Sequence, residues 1–139
     1  MRVEVVTPTG AAASREVEEV VAPGALGELG ILPGHVALLS ALRPGVLTLR
    51  GAGPTEVFAV GAGFVQVTGD DSVVVLSDRA QRAEEIDVKA AEKAFTEADH
   101  ELAEWTDEQN ETYDRLVTQR AWSQAAIDAA HVVGAASAH

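Results

Sequence analysis

The chain has 139 residues, enough for one ordinary domain or two small ones, and 47% of them are apolar, which is enough for a packed core. Its 22 acidic and 10 basic side chains give a net charge of −12, and this balance argues against nucleic acid or an anionic membrane surface as a direct partner. The sequence has no cysteine and no apolar run near the ~20 residues that span a bilayer. The polar start, MRVEVVTPTG, lacks the features of a signal peptide, so we expect a soluble chain that stays in the compartment where it is made.

The composition changes sharply near residue 84. All five prolines and eleven of the twelve glycines lie at or before Gly69. Residues 1–83 carry nine acids and six bases (net −3), whereas residues 84–139 carry thirteen acids and four bases (net −9). The sequence therefore predicts two parts, a turn-rich part over residues 1–84 and a helical part over residues 85–139.

Short strands rich in valine follow one another about every ten residues in the first part. Arg2 to Val6 and Arg15 to Val21 alternate polar and apolar positions and end at turns that contain proline and glycine. Further strands are predicted at Val46–Arg50, Glu56–Val60, Phe64–Thr68 and Val73–Leu76. This spacing is typical of an all-β sandwich or barrel. The run Val73–Leu76 has no polar position, so we expect it to be buried on both faces.

The second part runs from about Ile86 to Val133 without glycine or proline and is rich in strong helix formers. An apolar stripe at helical spacing follows its first half: Ala91, Phe95, Ala98, Leu102 and Trp105. The segment Thr106–Gln109 matches a capping box and predicts the start of a second helix, although the pattern does not exclude one continuous helix. Gly134 to His139 are expected to form a frayed tail.

No catalytic constellation is found in the sequence. The four histidines have no paired metal-ligand spacing, so no metal site is expected. Phosphate-binding loops of the Walker or G-x-G-x-x-G type are absent, and the segment Gly61–Gly63 is too short to form one. A hydrolase would need a nucleophile–base pair, which the sequence does not offer. We therefore expect a chain that is not an enzyme by itself.

The stretch Gly27–Val46, GELGILPGHVALLSALRPGV, combines closely spaced glycines and prolines with two apolar runs. Its residues predict a bent strand, a tight turn at Pro33-Gly34 and a second strand that enters a core. The order of glycines, prolines, Glu28 and His35 resembles the signature of the ε subunits of F-type ATP synthases. That resemblance implies an α+β fold in two parts, a ten-stranded β-sandwich followed by a C-terminal α-helical hairpin.

The resemblance also implies a function. Members of the family are non-catalytic central-stalk (rotor) subunits, bound peripherally at the cytoplasmic side of the bacterial plasma membrane, whose sandwich binds the γ subunit and rests on the c-ring. The implied c-ring-facing loop is Glu28, Leu29 and Gly30, and the implied γ contacts are His35, Val36, Leu38 and Ser40. The helical part either folds against the sandwich or extends into the α/β catalytic head, where it obstructs ATP hydrolysis.

The sequence departs from the family in two places. Some ε subunits bind ATP through an Ile/Leu-Asp-x-x-Arg-Ala motif, which corresponds here to Ile86, Asp87, Ala90 and Ala91. Because Ala90 stands where arginine is expected, the sequence argues against ATP as a regulatory ligand, and no cofactor is expected.

The second departure is the charge of the second helix. Its only bases are Arg115 and Arg120, the candidate inhibitory contacts, and they are outnumbered by acids. An acidic helix is repelled by an acidic partner, so we expect weak or absent inhibition of hydrolysis. The alternative function is a stand-alone nucleotide-sensing or protein-interaction module with the same fold.

Overall fold

The structure, a computed structural model, describes residues 1–137. Ten strands come first along the chain, followed by a short 3₁₀ helix over Ala83–Glu85 and by two α-helices. The strands are β1 (Arg2–Thr7), β2 (Gly10–Glu16), β3 (Glu19–Gly24), β4 (Gly27–Ile31), β5 (Leu38–Leu42), β6 (Gly45–Arg50), β7 (Glu56–Val60), β8 (Gly63–Val67), β9 (Ser72–Ser77) and β10 (Ala80–Arg82). The helices are α1 (Val88–Ala103) and α2 (Glu111–Ser137).

The strands form one hydrogen-bonded path that folds into two layers. Its order is β10-β7-β6-β3-β5-β8-β9-β1-β2, and β4 pairs with β3 beside this path. The layers are joined where β3 meets β5, through the single pair Gly24 and Leu42. Strand β1 pairs with β9 in parallel, whereas the other neighbours are antiparallel. The predicted ten-stranded β-sandwich is thereby confirmed.

Valine at alternate strand positions fills the space between the layers. The fully buried side chains include Val3 and Val5 of β1, Val20 of β3 and Val65 of β8. Since successive side chains of a strand point to opposite faces, this alternation leaves one face of each layer directed outward.

The expectation that Val73–Leu76 is buried on both faces is wrong. Val73 and Val75 are buried, whereas Val74 is half-buried and Leu76 is exposed. Strand β9 lies in the layer whose outer face is not covered by the helices, so only one of its faces is inside.

The helices form an antiparallel hairpin that lies against the outer face of β6 and β7. Small side chains make this contact: Ala125, Ala126 and Ala129 of α2 pack with Val57 and Ala59 of β7. The predicted helical hairpin is confirmed, and the alternative of one continuous helix is excluded because the chain turns between residues 104 and 110.

The start of the second helix differs from the prediction. Helix α2 begins at Glu111, where the Asn110 side chain accepts a hydrogen bond from the Tyr113 N–H at 3.1 Å. Thr106 lies instead in the turn, next to Trp105, whose ring meets the Tyr113 ring of α2 edge to face at 5.6 Å. The predicted start at Thr106 is therefore wrong, because the helix is capped four residues later, by Asn110.

The predicted C-terminal tail begins too early. Residues 134–137 continue α2, so the helix extends past Gly134. The last two residues of the predicted tail, 138 and 139, lie outside the described residues.

Candidate functional site

The segment Glu28–Gly30 is part of strand β4 and not a loop. It pairs with β3, Leu29 opposite Ala22 and Gly30 opposite Val21. Glu28 and Gly30 are exposed, whereas Leu29 turns inward against the sandwich core. The alternation of the strand therefore separates the three predicted c-ring-facing residues, and only two of them are available to a partner.

The exposed end of the same hairpin is its turn, which the sequence reasoning did not single out. Leu26, between β3 and β4, is fully exposed. The sequence feature that could have indicated this exposed residue is the one leucine in the turn sequence PGALGE. An apolar side chain held at the tip of a short hairpin has no partner within the sandwich and is available for contact with another chain.

The turn after β4 matches the prediction at Pro33-Gly34. The His35 N–H donates to the Leu32 carbonyl at 3.0 Å, and Gly34 has a φ of +82°, which favours glycine. The Gly34 N–H also donates to Asp71 Oδ1 at 2.9 Å, which ties this turn to the turn between β8 and β9.

The predicted γ contacts do not lie on one surface. Val36 is 75% exposed, but His35 is half-buried, with Nδ1 2.8 Å from the Val36 carbonyl oxygen. Leu38 packs against the sandwich core and Ser40 is half-buried, because both lie on the inward side of β5. Of the four residues, only Val36 is exposed, and their contact with γ stays a prediction.

The outward side of β5 belongs to a group of exposed apolar side chains. Leu39 is 69% exposed, Phe64 of β8 is 52% exposed and Leu76 of β9 is 44% exposed. The strand register places Ala41, Phe64 and Leu76 opposite one another on three adjacent strands. We call Leu39, Ala41, Phe64 and Leu76 the outer apolar row. It lies in the layer opposite the one that α2 covers.

A cleft of about 520 Å³ lies between the two helices and the connection from β9 to β10. All four residues of the degenerate ATP motif line it: Ile86, Asp87, Ala90 and Ala91. Asp87 is the N-cap of α1, and its carboxylate accepts the Ala90 N–H at 3.1 Å. Asp87 of the motif is thus used for the helix start, while the Ala90 side chain brings no charge to the cleft.

Two arginines also line this cleft, Arg79 and Arg115. Arg79 was not among the predicted site residues, since it lies outside the motif in the β9–β10 connection. Arg120 is in another place: its guanidinium pairs with Asp99 of α1 at 3.0 Å. The two candidate inhibitory arginines therefore have different surroundings in this hairpin, one in the cleft and one bridging the two helices.

A cluster of charged side chains fixes the far edge of the sandwich. The Glu56 carboxylate accepts hydrogen bonds from Arg15 of β2 and, at 2.8 Å, from Arg82 of β10. Burial by itself raises the pKa of Glu56, but these two hydrogen bonds and the arginine charges outweigh burial and hold the pKa below its ordinary value. The cluster joins three strands and therefore has a structural role.

Residues 1–137 contain no group of three or more His, Asp or Glu side chains placed to hold a metal ion. Within the same residues, neither helix has the length and hydropathy that a membrane span requires.

The fold is a two-layer β-sandwich with a helical hairpin on one outer face and an exposed apolar row on the other. Residues 1–83 match the family described as ATP synthase, Delta/Epsilon chain, beta-sandwich domain. The chain is 45% identical over 106 residues to the ATP synthase epsilon chain of Carboxydothermus hydrogenoformans, covering 76% of this chain and 78% of the relative. It is 42% identical over 113 residues to the epsilon chain of Anaeromyxobacter sp. (strain K), covering 81% and 84%.

Solved structures share the fold. A chain of the Euglena gracilis mitochondrial ATP synthase, in a structure of OSCP, F1 and the c-ring, superposes with a TM-score of 0.70 at 24% identity, covering 96% of this chain and 79% of that chain. A chain of the Tetrahymena thermophila central stalk and c-ring superposes with a TM-score of 0.65 at 20% identity, covering 94% and 96%. On the sequence matches, this chain belongs to the ATP synthase delta/epsilon chain family.

Proposed function

We propose that the chain is a non-catalytic central-stalk subunit of an F-type ATP synthase, which couples rotation of the c-ring and the γ subunit to ATP synthesis in the catalytic head. Family membership supports this role. The structural observation that carries it is the outer apolar row, because large exposed apolar side chains on adjacent strands mark a surface for another protein.

The γ subunit is the proposed occupant of this row. The four side chains of the outer apolar row span three adjacent strands and carry no charge, so they suit a flat apolar surface on the partner. The other outer face of the sandwich is already covered by α2. Rotation of γ can be transmitted only through a contact that does not slip, and burial of Phe64 and Leu39 supplies such a contact.

A matched pair of substitutions on β8 tests the γ contact. Phe64 and Gln66 lie two residues apart and both are exposed. We expect Phe64→Ser to weaken binding of the purified γ subunit about tenfold to thirtyfold, as for a central apolar side chain of an interface. Gln66→Ser, with the same new side chain, is expected to leave the affinity nearly unchanged. Equal affinities of both variants, or a full-length chain that stays monomeric when mixed with γ, would contradict the proposal.

The β3–β4 hairpin is the proposed contact with the c-ring. Its turn presents the Leu26 side chain, and Glu28 follows on the exposed side of β4. The Glu28 carboxylate can accept hydrogen bonds from the polar loops that the family resemblance places opposite this hairpin, and Leu26 can pack on the apolar parts of those loops. In a reconstituted stalk, Leu26→Ser is expected to weaken retention of the chain on isolated c-rings, whereas Gly69→Ser, in the turn after β8, is not.

We propose that no nucleotide is needed as a regulatory ligand, although the cleft has room for one. The Asp87 carboxylate already accepts a hydrogen bond as the N-cap of α1, and the Ala90 side chain has no donor. The positive charges that line the cleft are those of Arg79 and Arg115. Equilibrium dialysis of the full chain against ATP is expected to show no saturable binding at millimolar ATP, and Ala90→Arg is expected to strengthen binding. Saturation of the unaltered chain at micromolar ATP would favour the nucleotide-sensing alternative.

The proposed location is the cytoplasmic side of a bacterial plasma membrane, where the chain is held through the complex. The similar epsilon chains come from bacteria, and the proposed contacts with γ and the c-ring would bring the chain to the membrane indirectly.

A further inference from the structure

One contact between large side chains joins the sandwich to the helical hairpin. Arg79 lies in the connection from β9 to β10, and its guanidinium carbon is 4.0 Å from the centroid of the Trp122 ring in α2. The backbone of Arg79 is fixed on both sides: its carbonyl accepts the Gly61 N–H at 2.8 Å and its N–H donates to Ser77 Oγ at 3.3 Å. The arginine therefore extends from a rigid corner of the sandwich toward the helix.

The rest of the interface is made mostly of small side chains. Ala125, Ala126 and Ala129 of α2 each bury only one methyl group against β7 and its surroundings. Because the free energy gained on burial is roughly proportional to apolar area, such alanines hold a helix weakly. Trp122, packed beside this cluster, is the largest side chain that α2 contributes to it.

The arginine and the tryptophan also separate two cavities. The helical cleft of about 520 Å³ lies on one side of the pair, and a second cavity of about 450 Å³ lies on the other. Both are lined by Arg79, Thr118 and Trp122. The Trp122 ring therefore has two contacts, the buried cluster on which it packs and the Arg79 guanidinium that lies over it. In the described part of the chain, Arg79 forms no ion pair within 4.0 Å, so its charge is directed to the ring.

We propose that the Arg79–Trp122 stack is a latch that holds the hairpin against the sandwich without a bound ligand. A cation over the face of an indole ring is attracted by the negative face of the ring, and partial desolvation strengthens the attraction. Because Arg79 is exposed, loss of the stack is expected to raise the undocked fraction of the hairpin about two- to fivefold. This inference concerns contacts within the chain and does not depend on the proposed function.

Thiol labelling of the full-length chain tests the latch, because the sequence contains no cysteine. A single Ala126→Cys reporter lies under the docked helix and reacts only when the hairpin leaves the sandwich, since Ala126 is buried. A single Val65→Cys reporter in the sandwich core reacts only on global unfolding. Each reporter is combined in turn with Arg79→Gln, with Trp122→Leu and with Arg2→Gln. The last is the control, since it removes the same charge from β1 in the other layer.

The latch predicts that Arg79→Gln and Trp122→Leu each raise the labelling rate at the Ala126→Cys reporter at least about two- to fivefold. The rate at the Val65→Cys reporter should not change, and Arg2→Gln should change neither rate. Unchanged labelling of the Ala126→Cys reporter in both variants would overturn the proposal. An equal rise at both reporters would also overturn it, because the stack would then support the whole fold and not the docking of the hairpin.

Discussion

At the scale of single residues, Gly63 shows how a close backbone approach selects glycine. A Cβ atom added at Gly63 would lie 1.8 Å from the Leu76 carbonyl oxygen, so any side chain must push β8 and β9 apart. We expect Gly63→Ala to lower the free energy of unfolding by about 2–3 kcal/mol, the cost of overpacking a core. Denaturant unfolding measures this change.

Gly69 provides the matched control for that substitution. A Cβ added there meets no atom within 4 Å, and the backbone needs no left-handed conformation. Gly69→Ala is therefore expected to leave the fold as stable as before or slightly more stable. If both variants lost the same stability, close approach of β8 and β9 would not be the reason for the glycine.

The Glu56 cluster predicts a dependence of stability on pH. The folded-state pKa of Glu56 is lowered from its ordinary value of 4.5, so the cluster stabilises the fold at pH above that value. The stabilisation is lost as the pH falls through the folded-state pKa. We expect Glu56→Gln to lower the free energy of unfolding by about 2 kcal/mol at neutral pH, as for loss of hydrogen bonds to a charged group.

The difference in the free energy of unfolding between the unaltered chain and Glu56→Gln should therefore shrink at low pH. Other acids, such as Asp70, titrate in both proteins and cancel in the comparison. Chemical denaturation at a series of pH values from neutral to below 4 gives the difference directly. A difference that stays constant over this range would show that the two arginines do not interact with the ionised carboxylate.

At the scale of the elements, the hairpin depends on how its second helix begins. The Asn110 side chain accepts the Tyr113 N–H at 3.1 Å, and loss of such an N-cap costs about 1 kcal/mol. Asn110→Ala is expected to raise amide exchange in the first turn of α2 about fivefold, consistent with that cost. Thr106→Ala, at the position that the sequence pattern favours, should leave the exchange unchanged. Faster exchange in Thr106→Ala and unchanged exchange in Asn110→Ala would show that Thr106 caps the helix.

The charge of the hairpin leads to a prediction about ATP hydrolysis. In the folded hairpin Arg120 pairs with Asp99 and Arg115 lines the cleft, so these two bases are set among the more numerous acids of the helices. We expect the catalytic head with γ to hydrolyse ATP equally fast with the intact chain and with a chain that ends at Arg82. The control is that the shortened chain still binds γ. A several-fold faster rate after truncation would show that the hairpin obstructs rotation despite its acidic charge.

Much of the fold could be predicted because turns and strand periods are local. The turn at Pro33-Gly34 and the alternating valines of β1 follow from conformational preference and side-chain direction. The face of β5 could not be predicted, because its one polar residue, Ser40, lies on the inward side, whereas Leu39 and Ala41 lie on the outward side. The layer that covers each face decides which leucine is exposed, and that depends on distant strands.

The helical part shows the same limit. A local motif at Thr106 predicted a helix start, but the chain turns through residues 104–110, and α2 begins at Glu111 with Asn110 as its cap. Arg79 was missed for a related reason. Its partner Trp122 is distant in sequence, and neither residue belongs to a recognisable motif.

At the scale of the whole molecule, the two outer faces of the sandwich make different contacts. One face packs against the hairpin mainly through small side chains, which bury little apolar area each. The other face presents the outer apolar row to a partner. A contact of the row with the stalk and the docking of the hairpin therefore use different surfaces of the sandwich.

Proton-driven ATP synthesis by membrane vesicles tests the rotor role most directly. Vesicles that carry the enzyme would be depleted of this chain and then supplied with the intact chain, with Phe64→Ser or with Gln66→Ser. The proposed role predicts that synthesis falls on depletion and returns with the intact chain and with Gln66→Ser, but returns less with Phe64→Ser at the same concentration. Synthesis that continues undiminished in the depleted vesicles would contradict a central-stalk function.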